Sequence, residues 1–265
     1  MTPSLIGILS ICCYLASALL LTIDIIKKKS QYRSVLLGWT AVFTHLSYIA
    51  IISLQSSNVD FSFFSIGSII ASILALLLLI VNTSKPIEKL GVAIFPIAAL
   101  MLFLTLYFPN NEQVLQKYNW QMNTHILSSI IAFSLLNIAA LQAIFLAIQD
   151  QQLRKHPPSR IILTLPSLQT MESLLFQMIS TGIIFLSVSL ISGFIFIDDL
   201  FAQHLAHKTV LSILAWLIFS SLLFGRIRYG WRGQTAIQWT LIGFTFLLLA
   251  YFGSKLVLEL ILNRT

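Results

Sequence analysis

Charge is what this sequence has least of. Only 9% of its 265 residues are charged, against about 25% in an average water-soluble domain. Asp and Glu together number 9. With 57% hydrophobic residues and a mean hydropathy of +0.90, the chain has more apolar surface than one water-soluble core can hide. Its class is therefore a polytopic membrane protein. Cysteine is scarce as well. Cys12 and Cys13 are the two, and they are adjacent within the first apolar run. Neighbouring cysteines rarely pair with each other, and there is no CxxC or CxxCH. A thiol redox function has no support, and packing is the reading. A cleavable leader is also missing. The first run is long, lacks a basic start and is followed by no small-residue cleavage pattern, so it is expected to stay as a transmembrane helix.

The sequence also lacks a nucleophile–base pair, a Walker loop and a dinucleotide fingerprint. No catalytic apparatus is visible, and no enzyme is expected. There is no clear internal repeat, no large soluble domain and no low-complexity tail. One integral-membrane domain over 1–265 is expected.

What the chain does have is long apolar runs. A helix needs about 20 apolar residues to cross the hydrocarbon core. Eight runs qualify or nearly so: 4–26, 35–54, 62–81, 88–108, 124–148, 174–197, 208–225 and 235–260. They are continuous rather than alternating, which favours helices over a barrel. The seventh is short, with Lys208 and Arg226 placed to snorkel at its two ends. The fold class expected is all-α, with about eight transmembrane helices.

Orientation follows from the basic residues of the loops. Lys27, Lys28, Lys29, Arg33, Lys85, Lys89, Arg154, Lys155, Arg160, Arg226, Arg228 and Arg232 fall on one side, twelve of sixteen. Lys117, Lys208 and Arg264 fall on the other, and Lys255 lies in the last run. The basic side is cytoplasmic, so both termini are expected outside. The net charge of +7 is this topology signal and needs no nucleic acid. The lipid bilayer is the first partner. In the cytoplasmic loop at 156–173, SLQTMESLLFQ reads as a short surface helix leading into the sixth span.

Polar groups are costly in lipid, so each needs a reason. His45, midway along the second run, reads either as a neutral imidazole bridging helices or as a ligand or proton carrier. His125 opens the fifth run at the outer surface. His204 and His207 lie outside too, before the seventh. Two histidines three apart share a helix face, but no cysteine joins them and Asp198 and Asp199 are the only acids near, so a zinc site is weakly signalled. Haem has another geometry, because two imidazoles must meet the iron from opposite faces of the ring. Two neighbours on one helix cannot do that, whereas His125 with His207 can. Lys208 offers a cation for a propionate, and Phe194, Phe196, Phe201 and Trp120 offer apolar walls. Asn137 and Gln142 read as bonds between helices. Ser187, Ser189, Ser192 and Gly193 read as a small-residue packing face, and Asp24 as paired with Lys27 and Lys28. Lys255 and Glu259 read as an interfacial ion pair.

The end of the chain carries a resemblance. HKTVLSILAWLIFSSLLFGRIRYGWRGQTAIQWTLIGFTFLLLAYFGSK has a tryptophan late in an apolar run, Trp216. A basic turn follows with Gly230, Trp231, Arg232 and Gly233, then a helix ending in Tyr251, Phe252 and Gly253. The pattern resembles the CcsA/CcmC-type cytochrome c assembly proteins. LPSLQTMESLLFQMISTGIIFLSVSLISGF resembles their smaller HemX/YpjD-like branch. The resemblance implies a bacterial inner (cytoplasmic) membrane protein that binds or handles haem without chemistry of its own, with other cytochrome assembly membrane proteins as partners. It puts the family's outer histidine on His125. Two features depart from the family. The tryptophan-rich WWD segment is replaced by FAQHLAHK, and no histidine follows the last span, where the tail reads KLVLELILNRT. His204 or His207 is then the replacement ligand, or else both form the polar collar of a helix. From the residues alone, GWRG reads as a turn that Gly230 and Gly233 permit and Trp231 anchors. A transporter subunit, with His45, Asn137 and Gln142 along a pathway, and an accessory scaffold are the rival readings.

Overall fold

The computed structural model describes residues 3–27, 29–56, 63–84, 87–108, 120–154, 167–196 and 206–253. All regular structure among them is helical. The helices are α1 (Pro3–Lys27), α2 (Tyr32–Ser56), α3 (Phe63–Asn82), α4 (Gly91–Tyr107), α5 (Trp120–Arg154), α6 (Leu168–Phe196), α7 (Ala206–Tyr229) and α8 (Gln234–Leu248). A 3₁₀ turn, Glu88–Leu90, leads into α4, and a π-helical turn, Leu249–Gly253, closes α8. Eight helices, counted with these turns, are long and apolar enough to cross a membrane. The all-α, eight-span expectation holds.

Three boundaries differ from the sequence expectation. The α5 helix runs on through Gln149, Asp150 and Arg154, because an Asp150–Arg154 pair at i, i+4 supports its last polar turn. The segment expected as a separate surface helix is the start of α6 itself. Ser167 caps it, its hydroxyl accepting from the Thr170 amide at 3.3 Å. The α7 helix is 24 residues long rather than short.

The chain divides into two compact units, Met1–Lys117 and Tyr118–Thr265. In the first, α1 packs on α2 and α4, and α3 packs on the same two. Tyr14, Leu21, Leu79, Ile94 and Phe95 are buried at its centre. Gly38 lets α2 close on the Phe95 ring of α4, where a Cβ would sit 2.8 Å from it, and Gly91 lets Leu21 of α1 approach, where a Cβ would sit 2.9 Å away.

In the second unit α5 packs on α6 and α8, and α7 packs on the same two. The four make a ring in which α5 and α7 stand diagonally. Successive helices are antiparallel. His125, early in α5, meets Ser189, late in α6, and Gln142 further along meets Met171. Phe133 of α5 meets Tyr251 beyond α8. The starts of α5 and α7 therefore share one end of this bundle with the finishes of α6 and α8. At the opposite end Gly230 and Gly233 take φ of 67° and 59°, which turns the chain from α7 into α8 at little cost only because neither carries a Cβ.

Candidate functional site at the His125 end of the second unit

His125 lies in the second turn of α5 and is half-buried. Its Nδ1–H donates to the Ser189 carbonyl at 2.8 Å. The Ser192 hydroxyl donates to the same carbonyl at 3.0 Å and lies 3.4 Å from Nδ1. A neutral ring held in this way keeps its proton on Nδ1 and presents the Nε2 lone pair. Metal-binding histidines are commonly oriented by such a bond from the second nitrogen to a carbonyl. The serines read as a packing face thus also orient the ring.

His207 is exposed in the first turn of α7, and Lys208 beside it is half-buried. No hydrogen bond or ring contact joins His207 to His125, but the diagonal helices place both at one end of the bundle. A haem iron can take imidazoles from opposite faces of its ring, and histidines on two diagonal helices at one end of the bundle are compatible with that group. His204 and the rest of 197–205 lie outside the described residues, as do Lys28, Lys255, Glu259 and Phe201. Among the described residues no group of three His, Cys, Asp or Glu could hold a metal ion, so the zinc reading gains no ligand set.

Aromatic rings line the same end. Trp120 lies 6.2 Å from Phe196, and both are exposed, as is Phe194. Phe133, fully buried, meets Tyr251 and Phe252 toward this end and Phe244 further back along α8. The Tyr251 hydroxyl faces Ser129, one helical turn along α5 from His125.

His45 belongs to the first unit and is fully buried. Its Nε2 is 2.9 Å from the Ser68 hydroxyl on α3, and its Nδ1 is 3.3 Å from the Tyr14 hydroxyl on α1. The Tyr14 ring packs edge-on against it at 5.8 Å. Both nitrogens are engaged in bonds that join three helices, which is the bridging geometry. Gln142 donates to the Met171 carbonyl at 3.2 Å, a bond between α5 and α6. Asp24 accepts from the Ser34 hydroxyl at 3.2 Å; no ion pair joins it to Lys27 among the described residues. Cys12 is exposed and Cys13 half-buried, both free, so Cys12 turns toward lipid rather than into the core.

At the opposite end of the second unit, GWRG is built around a residue that the pattern of charges did not single out. Glu172, in the first turns of α6, accepts from the Arg226 guanidinium with one oxygen and from the Gly233 amide at 3.1 Å with the other. Arg226 does not snorkel. It also reaches the Trp231 carbonyl at 3.3 Å and lies 4.5 Å over the Phe176 ring. Glu172 is the one acid in SLQTMESLLFQMIS, and an acid entering an apolar run asks for a partner. That is the signal that could have found it.

Comparison with known proteins agrees with this architecture. A family model described as "Cytochrome C assembly protein" matches residues 30–262, across both units. The Escherichia coli (strain K12) protein named "Inner membrane protein YpjD" is 31% identical over 205 residues, 77% of this chain and 78% of its own. The Chlamydomonas reinhardtii "Cytochrome c biogenesis protein CcsA" is 27% identical over 184 residues, 65% of this chain and 50% of its own. An Azospirillum brasilense protein of 28.8 kDa is 27% identical over 144 residues. No solved structure matches. A match that covers nearly the whole chain, on eight membrane-length helices, places this protein in the cytochrome c assembly protein family as an integral membrane protein.

Proposed function

We propose that this chain binds haem in the bacterial inner membrane and handles it without chemistry of its own. The whole chain acts as one functional domain, with both termini outside and the GWRG turn in the cytoplasm. The observation that carries the reading is the His125 ring. Its Nδ1–H is committed to the Ser189 carbonyl at 2.8 Å, which aims the chemistry at Nε2. His207, from the diagonal helix, would be the second residue to hold the group, and Lys208 would meet a propionate through a charge-assisted bond. Bound there, haem would supply an iron that imidazole nitrogens can hold. The protein supplies imidazoles from two walls, an apolar end to the bundle and a cation. Other membrane proteins of cytochrome assembly are the partners this role calls for. His45, with both nitrogens engaged, serves the first unit as a bridge.

The test is haem titration of the detergent-purified protein, followed in the Soret region. The wild type takes up one haem with a bis-histidine spectrum. His125→Ala and His207→Ala each lower retention far more than His204→Ala. The double change adds little to either single one, since losing one axial ligand already breaks the site. Wild-type protein that takes up no haem under excess sinks the reading.

A further inference from the structure

The chain leaves α8 through five residues wound as a π helix, Leu249–Gly253. Such turns are rare and recur at functional sites. Here Tyr251 and Phe252 both face one ring. Their centroids lie 4.5 Å and 5.7 Å from that of Phe133. Two consecutive aromatic side chains within the π turn thus pack on one ring.

The place of that surface is set by α5. His125, Ser129 and Phe133 are spaced i, i+4, i+8, so each step shifts about 40° around the helix. The stripe starts at His125, which faces α6 through Ser189. It passes Ser129, which the Tyr251 hydroxyl faces. It ends at Phe133, which faces the π turn. The side between α6 and α8 is the inward side of α5. The aromatic pair therefore lies beside the histidine end of the bundle rather than toward lipid. Neither ring is fully buried, whereas Phe133 behind them is.

We propose that Tyr251 and Phe252, within the π turn, form the wall that accepts the face of a planar tetrapyrrole at the His125 end. Flat rings offer each other large contact areas in offset or tilted arrangements. The Tyr251 hydroxyl steadies its ring against Ser129, within one turn of His125. This inference rests on the haem reading above. It adds that the ring plane is recognised separately from the iron.

The separation is testable with two probes, hemin and metal-free protoporphyrin IX, which has no iron for a histidine to bind. Both are titrated into the full-length protein in detergent, hemin by absorbance and the metal-free ring by fluorescence. His125→Ala loses hemin retention but keeps most of its affinity for the metal-free ring. Tyr251→Ala weakens both by about tenfold, equivalent to about 1.4 kcal/mol, and Tyr251→Phe, which keeps the ring and loses only the contact with Ser129, recovers most of both. Phe244→Ala is the control for packing. Phe244 meets the same Phe133 ring at 6.0 Å but sits earlier on α8, further from the His125 end, so its loss leaves both affinities near wild type. If Tyr251→Ala does not fold, Tyr251→Leu gives the same comparison with the core volume kept. Equal effects of Phe244→Ala and Tyr251→Ala, or a wild type that binds hemin but not the metal-free ring, overturn the wall and leave the haem reading standing. A wild type that binds neither probe overturns both.

Discussion

Glu172 holds Arg226 and the start of α8 with one carboxylate. One oxygen takes the guanidinium, and the other takes the Gly233 amide. Gly233 is the N-cap residue of α8 and has no side chain to cap with. The first amides of a helix need acceptors, and a negative group there also meets the positive end of the helix dipole. Glu172 therefore does from α6 what a capping residue does locally. Three helices meet at that carboxylate.

Glu172→Ala removes both acceptors and leaves a half-buried guanidinium without its partner. The expected loss is about 2 kcal/mol, within the range for stripping one member from a partly buried charge pair. Glu172→Gln keeps an acceptor for one donor and loses less. Thermal unfolding in detergent reads both. Arg226→Met added to Glu172→Ala costs less than the sum of the two single changes, because the pair acts as a unit. Simple additivity would show that the two side chains do not work together.

The same turn depends on Gly225. The Trp231 amide donates to the Gly225 carbonyl at 3.2 Å, and the indole lies flat on the glycine. A Cβ at Gly225 would sit 2.3 Å from the Trp231 ring. Trp231 also packs at 5.2 Å against Trp239, so it has little room to retreat. Gly225→Ala is expected to destabilise by about 2 kcal/mol, as overpacking does. It should also raise tryptophan exposure, seen as a red shift of emission. Gly230→Ala meets nothing within 4 Å and is strained only by its φ of 67°. It should cost about 1 kcal/mol and leave emission unchanged.

The spans and the turn were legible because both are local. Apolar runs declare membrane helices by length, and the glycines of GWRG declare a turn because little else tolerates those backbone angles. The position of His125 early in α5 was legible too, because it opens an apolar run. Glu172 was not, because its partner Arg226 lies 54 residues away and helical periodicity says nothing about which helices meet. From the sequence, Arg226 reads as one more basic loop residue. The far end of α5 was hidden for a different reason. Gln149, Asp150, Gln151 and Gln152 have the composition of a loop. Yet a helix persists there on a pair within its own last turn and on a 2.7 Å bond from Gln234 to Asp150. The π turn left no trace in the pattern at all, since the apolar run simply continues through it.

The orientation rests on twelve basic residues against three in the loops. A reporter active only outside the cytoplasm, fused after Arg264, should be active, and one inserted between Gly230 and Trp231 should be silent. The reverse pattern would place GWRG outside and remove the argument for the His125 end as an outer-surface site. Neutralising Arg228 and Arg232 alone should not invert the chain, because ten of the twelve remain.

His45 is the last case, and its two readings part cleanly. The ring joins α2 to Ser68 of α3 at 2.9 Å and to Tyr14 of α1 at 3.3 Å, with all three side chains buried. Removing the imidazole leaves two hydroxyls facing a void, and each unpaired buried group costs about 1–3 kcal/mol. His45→Ala is therefore expected to lower stability by about 3 kcal/mol once the cavity is counted. Gln has a donor and an acceptor on a side chain of similar reach, so His45→Gln should recover most of that loss. Tyr14→Phe removes one bond and keeps the ring, and it should cost about 1 kcal/mol. The loss from Tyr14→Phe should nearly vanish in the His45→Ala background, because the bond it removes is already gone. Under the bridging reading, haem uptake by the second unit stays at wild-type level in His45→Gln. If His45→Gln kept full stability but lost the bound haem, His45 would be a ligand, and its bonds to Tyr14 and Ser68 would have to open to admit the iron.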